Sequence, residues 1–144
     1  MDIEYDLQSK KLLMNKEIIW YLMKELIPEY KNSTKEEIIA CIEDGDPNKK
    51  YIEGLNTEDL SDENSKVVYV ILFTAKLPKS SQKISLYINF EAQNNLNTGY
   101  PIVKRAIYYA CRLITHQGAK NGHIKRYDDL KKVYSIWICT NPPK

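Results

Sequence analysis

Leu86-Tyr87-Ile88-Asn89-Phe90-Glu91-Ala92-Gln93 is a short apolar stretch that ends on a carboxylate and an amide. Read as a strand, it sends alternate side chains to opposite faces, so Glu91 and Gln93 project together from its end. Downstream, Arg105, Tyr109, Arg112 and His116 follow at steps of four, three and four, which puts them on one helix face. A carboxylate facing such a row suits a phosphodiester-processing site. It suits a structural ion-pair network equally well, and residue types alone leave both open.

On either side the pattern alternates between helical and extended. Before it, Val67 to Leu77 is rich in β-branched and aromatic residues and closes at Pro78, so a turn over Pro78-Lys79-Ser80-Ser81 would make the two strands antiparallel. After it, residues 101–117 read as a helix with Pro101 in its first turn. Val103, Ile107, Ala110 and Ile114 recur at intervals of three and four, which predicts that they face the sheet. Val133 to Cys139 is a final strand, and Asp128 to Lys131 a short helical turn before it. Upstream, residues 11–27 carry Leu12, Ile19, Leu22, Met23 and Leu26 at helical spacing, with a break at Pro28. A second helix is expected near Ser33, where Ser33 with Glu36, or Thr34 with Glu37, has capping-box spacing. Ile38, Ile39 and Ile42 are its apolar side, and Asp44-Gly45-Asp46-Pro47 stops it. Residues 48–65 are mostly polar, with a short edge strand at Tyr51-Ile52 the one extended candidate. Layer packing of this order predicts a small mixed sheet covered by helices, an α/β domain.

The 144 residues suffice for one domain with one core, residues 1–144, and the abrupt ending after an apolar strand fits either a chain shortened at its C-terminus or a complete small domain. An apolar fraction of 43% and a charged fraction of 28% exclude a disordered or fibrous chain. No apolar run is long enough to cross a bilayer and the N-terminal segment lacks a signal peptide's apolar centre, so a cytoplasmic protein without membrane partners is expected. Cys41, Cys111 and Cys139 lack metal-binding spacing and each sits among apolar residues, which reads as buried thiols in a reducing compartment. The net charge of +2 is unevenly spread, with −5 over residues 1–100 and +7 over 101–144. Such asymmetry creates a local field attractive to phosphate, or lets the two halves pair with each other. His116 and His123 have no acidic partner at ligand spacing, so zinc is not expected, and the glycines form no phosphate-cradling signature.

The segments Tyr69-Val70-Ile71-Leu72-Phe73, Ile88-Asn89-Phe90-Glu91-Ala92-Gln93, Gly99-Tyr100-Pro101, Lys104-Arg105-Ala106-Ile107-Tyr108-Tyr109 and Tyr134-Ser135-Ile136-Trp137-Ile138-Cys139, in this order, resemble the PD-(D/E)XK nuclease family transposases of recombination-promoting type. The resemblance implies a restriction-endonuclease-like αβββαβ core and DNA cutting with a divalent ion, Mg2+ or Mn2+. Glu91 matches that family's metal-binding acid, and Gln93 stands where its lysine often stands. Val70 occupies the place of its strand aspartate, a departure that removes one central ligand. Hard cations need several oxygen ligands, so a second acid from Asp59, Asp62 or Glu29 would have to complete the shell. Arg105, Tyr109 and Arg112 would then contact the DNA backbone or stack on a base. Three readings follow: a catalytically impaired DNA-binding domain of transposase type, an active endonuclease with a non-standard second acid, or a structural or protein-interaction domain. A homodimer is compatible with each.

Overall fold

Asn15 decides the first turn of the chain. In the computed structural model, which describes residues 3–43, 46, 48–54, 58–59, 67–79, 85–93, 99–119 and 126–140, the expected helix over 11–27 is two helices. The first, α1 (Ile3–Leu13), ends as the Asn15 amide donates to the Leu12 carbonyl at 3.1 Å. The second, α2 (Lys16–Leu26), begins because the Asn15 side chain accepts the Glu17 amide at 3.0 Å. Ile19 and Met23, four apart on α2, are fully buried, whereas Leu12 and Leu26 are exposed. A single 3-10 turn follows at Pro28–Tyr30. Helix α3 (Lys35–Cys41) opens on Thr34, whose hydroxyl accepts the Glu37 amide while the Glu37 carboxylate accepts the Thr34 amide. The second of the two capping frames is the one used.

The strand expected from Val67 to Leu77 is broken at Tyr69-Val70. The Val70 amide donates to the Glu91 carboxylate at 3.0 Å, a side-chain partner in place of a strand neighbour. Before the break, β1 (Glu58–Asp59) and β2 (Val67–Val68) form a two-residue antiparallel ladder of their own. After it, β3 (Ile71–Lys76) pairs antiparallel with β4 (Ser85–Gln93), with Ile71 opposite Phe90 and Lys76 opposite Ser85. Helix α4 (Ile102–Ala119) carries the chain over to β5 (Val133–Cys139), which lies parallel to β4 with Glu91 opposite Trp137 and Gln93 opposite Cys139.

The restriction-endonuclease-like αβββαβ core is therefore overturned. Among the described residues the sheet has three strands in the order β3-β4-β5, and the two preceding strands lie in a separate ladder. The arrangement is a small mixed α/β one, with three helices before the sheet rather than one. The physical reason is the Val70–Glu91 contact, which withdraws the start of the expected strand from the ladder. Tyr51 makes only an isolated bridge to Asn15, although Ile52 beside it is buried.

Two apolar clusters flank the sheet. The larger joins Ile19, Met23, Ile27, Tyr30 and Ile38 of the helical segments to Ile71, Phe73 and Ala75 of β3, with Tyr134, Ile136 and Ile138 of β5 against it. The smaller, under α4, joins Tyr69, Leu72 and Leu113 with Tyr109 and Val133. Alternation along β3 and β5 separates the two sets. Of the thiols, Cys41 is buried, but Cys111 and Cys139 are exposed, which corrects the expectation of three buried ones.

Candidate functional site

Helix α4 lies on the sheet with the opposite face to the one its apolar spacing predicts. Val103, Ile107 and Ile114 are 62%, 57% and 41% exposed, while Leu113 is 2% exposed and Arg112 9%. Arg105, Tyr109 and His116 are half-buried on the same inward side. The expectation that Val103, Ile107 and Ile114 face the sheet is thus overturned. What lies beneath the helix supplies the reason. Glu91 is 2% exposed on β4, and a carboxylate withdrawn from water costs several kcal/mol unless hydrogen-bonded and faced by opposite charge. Arg105, on the inward face of α4, brings that charge, and the stems and rings of that face still supply apolar packing. Gln117 holds the same rotation from the other end, accepting the Lys131 amide at 2.7 Å and donating to the Lys131 carbonyl at 3.0 Å.

Around Glu91 the groups interlock. Arg105 donates from Nη1 to Gln93 Oε1 at 3.4 Å and from Nη2 to the Tyr109 hydroxyl at 3.1 Å. Its guanidinium carbon lies 5.0 Å from the Tyr109 ring centre and 5.2 Å from that of Trp137, within cation–π range of both. Partial burial works against the charge of Arg105. The hydrogen bond to the Tyr109 hydroxyl and the negative charge of Glu91 outweigh it, so the guanidinium is held protonated more firmly than usual. Tyr109 packs edge-on against Tyr69 at 5.4 Å and tilted against Trp137 at 5.6 Å, and the Tyr69 hydroxyl donates to the Tyr109 carbonyl at 3.3 Å. Trp137 Nε1 donates to Ser135 Oγ at 2.9 Å, and Arg112 Nη1 donates to the Tyr108 hydroxyl at 3.4 Å.

Glu91, Gln93, Arg105 and Tyr109 do come together, as their spacing suggests. Of the expected second acids, Glu29 does not join them. Glu29 accepts Lys132 Nζ on Oε1 and the Tyr134 hydroxyl on Oε2, both at 2.6 Å. Tyr134 belongs to the large cluster on the face of β5 opposite Trp137, so Glu29 lies across the sheet from Glu91. Asp59 pairs opposite Val67 in the short ladder, and Asp62 lies outside the described residues. Among the described residues no group of three or more His, Cys, Asp or Glu could hold a metal ion. The magnesium, nuclease and restriction-endonuclease reading is corrected accordingly: the Glu91 carboxylate holds a backbone amide beside Arg105 and makes no ligand set with Glu29.

The spacing missed the partners of Arg105. Strand register, which the spacing does not show, brings Trp137 beside Glu91 and under the Arg105 guanidinium. The spacing also missed the outer face of α4, although steps of four, three and four through Val103, Ile107, Ala110 and Ile114 are those of a helix-pairing seam. No helix of the described residues is long and apolar enough to cross a membrane. The chain matches no protein-family model, curated protein or solved structure. The transposase resemblance therefore rests on its sequence segments alone.

Proposed function

We propose that this protein is a protein-interaction domain whose docking surface is the outer face of α4. One observation carries the reading: the basic row of α4 is turned inward around Glu91, while Val103, Ile107 and Ile114 are presented to solvent. Scattered exposed apolar residues are ordinary, but an aligned stripe on one rigid helix is the form taken by helix-mediated contacts. A DNA platform on the same helix is the weaker reading, because Arg112 is buried and Arg105 is clasped by Gln93 and two rings. Phosphate contacts need cations that can reach the groove.

The test places a photo-crosslinking phenylalanine analogue at position 107 and, as control, at the exposed Lys31. Irradiation in cells that express the full chain should join position 107, but not position 31, to another polypeptide, and Ile114→Glu should abolish the adduct. Absence of any adduct specific to position 107 refutes the reading.

A further inference from the structure

We propose that the partner docked on α4 is an acidic amphipathic helix, its carboxylates held by Lys104 and Tyr108 beside the apolar stripe. This rests on the interaction reading above and names the chemistry of the partner. Val103, Ile107, Ala110 and Ile114 lie within an arc of about 60° of the helix circumference. Lys104, Tyr108, Cys111 and Thr115 repeat the same steps one residue later, about 100° further round, and all four are exposed. Beyond them comes the inward row of Arg105, Tyr109 and Arg112. The outer face is therefore a groove between two ridges, one aliphatic and one polar, into which the side chains of a second helix can pack.

Charge selects the occupant. Helix α4 contains Lys104, Arg105 and Arg112 and no acidic residue at all. Lys104 stands in the first turn, where the helix dipole adds positive potential and favours an acid. The charge of Arg112, which is only 9% exposed, reaches the surface through Tyr108. Arg112 Nη1 donates to the Tyr108 hydroxyl oxygen at 3.4 Å, and the guanidinium carbon lies 5.9 Å from the centre of that ring. A hydroxyl whose oxygen accepts from a cation is a polarised donor. Lys104 and Tyr108, four residues apart, are neighbours on the helix surface and together suit a carboxylate. A second basic helix is repelled at this face. A lipid surface needs several exposed cations on the polar flank, and of the three on α4 only Lys104 is exposed. The small area of the groove suits a transient contact.

The probes are two synthetic amphipathic helices, one of leucine and glutamate, the other of leucine and lysine in the same pattern. Fluorescence polarisation against the full chain should show the glutamate peptide bound at least about tenfold more tightly. The Lys104→Glu/Tyr108→Phe variant, with unchanged helix content by circular dichroism, should lose that preference. No detectable binding of the glutamate peptide, equal affinity for the two peptides, or a preference that the double variant keeps overturns the proposal. Co-sedimentation with phosphatidylglycerol vesicles that Ile107→Glu abolishes also overturns it, since the occupant is then a lipid surface. The photo-adduct at position 107 separates the two levels of the argument. A cross-linked segment of net negative charge supports the acidic helix. A neutral or basic segment overturns it and leaves the interaction reading standing, whereas absence of an adduct specific to position 107 overturns both.

Discussion

Truncating Leu113 and Ile107 separately to alanine measures which face of α4 is inside. Leu113 is 2% exposed in the cluster with Tyr69 and Leu72. Leu113→Ala loses the transfer energy of a buried side chain and leaves a cavity that a Tyr-rich surround closes poorly, a cost of about 3 kcal/mol. Ile107 is 57% exposed, so Ile107→Ala loses little burial and gains helix propensity. Its net effect should stay within about 0.5 kcal/mol. Urea unfolding followed by far-ultraviolet circular dichroism gives both values from the shift in midpoint at constant slope. In thermal unfolding the same difference corresponds to a midpoint roughly 10 °C lower for Leu113→Ala than for Ile107→Ala. A helix seated on its apolar stripe would produce the reverse order. If Ile107→Ala proves the more destabilising variant, the inward placement of the basic row is wrong, and the docking surface with it.

Two further outcomes concern the acids on either side of the sheet. Glu91→Ala removes the acceptor of the Val70 amide and the charge facing Arg105, and should cost about 2–3 kcal/mol, with Glu91→Gln costing less because an acceptor remains. Unchanged or increased stability in both variants would instead mark Glu91 as a group kept at the expense of stability. Across the sheet, burial pushes the Glu29 carboxyl up, but the Lys132 and Tyr134 hydrogen bonds outweigh it and hold it below its usual 4.5. A depressed folded-state value means stabilisation that is complete above the unfolded value near 4.5 and lost as pH falls through the folded one. Glu29→Gln should therefore flatten the fall in urea midpoint below that pH. A variant as acid-sensitive as the parent would show that other carboxylates dominate.

Local grammar was legible where it is a matter of neighbours in the chain. The Thr34–Glu37 capping box appears in the sequence as one of two frames, and only packing chose between them. β5 runs from Val133 to Cys139, where a β-branched and aromatic run bounded by polar residues indicates a strand. The meeting of Glu91 with Arg105 and Gln93 was also legible, since strand alternation and helical steps each set one side of it. The split of the first helix at Asn15 was harder to read. Apolar periodicity runs on through Leu12 and Ile19, and only the cap geometry shows that the residue ends one helix and starts another.

By itself the amino-acid sequence determined the existence of α2, α3, α4, β3, β4 and β5, because their signals are short-range periodicities and breakers. It also determined that α4 has two opposed faces, one basic and aromatic, the other aliphatic. Which of these turns inward was decided only by the tertiary structure. Hydrophobic spacing favours the aliphatic face by a few kcal/mol, a preference that assumes an apolar surface beneath. Strand register instead puts a buried Glu91 there, next to Trp137, and an uncompensated buried carboxylate costs as much or more. The helix therefore packs through Arg105, Tyr109, Arg112 and Leu113, and the same Glu91 carboxylate draws Val70 out of the strand ladder.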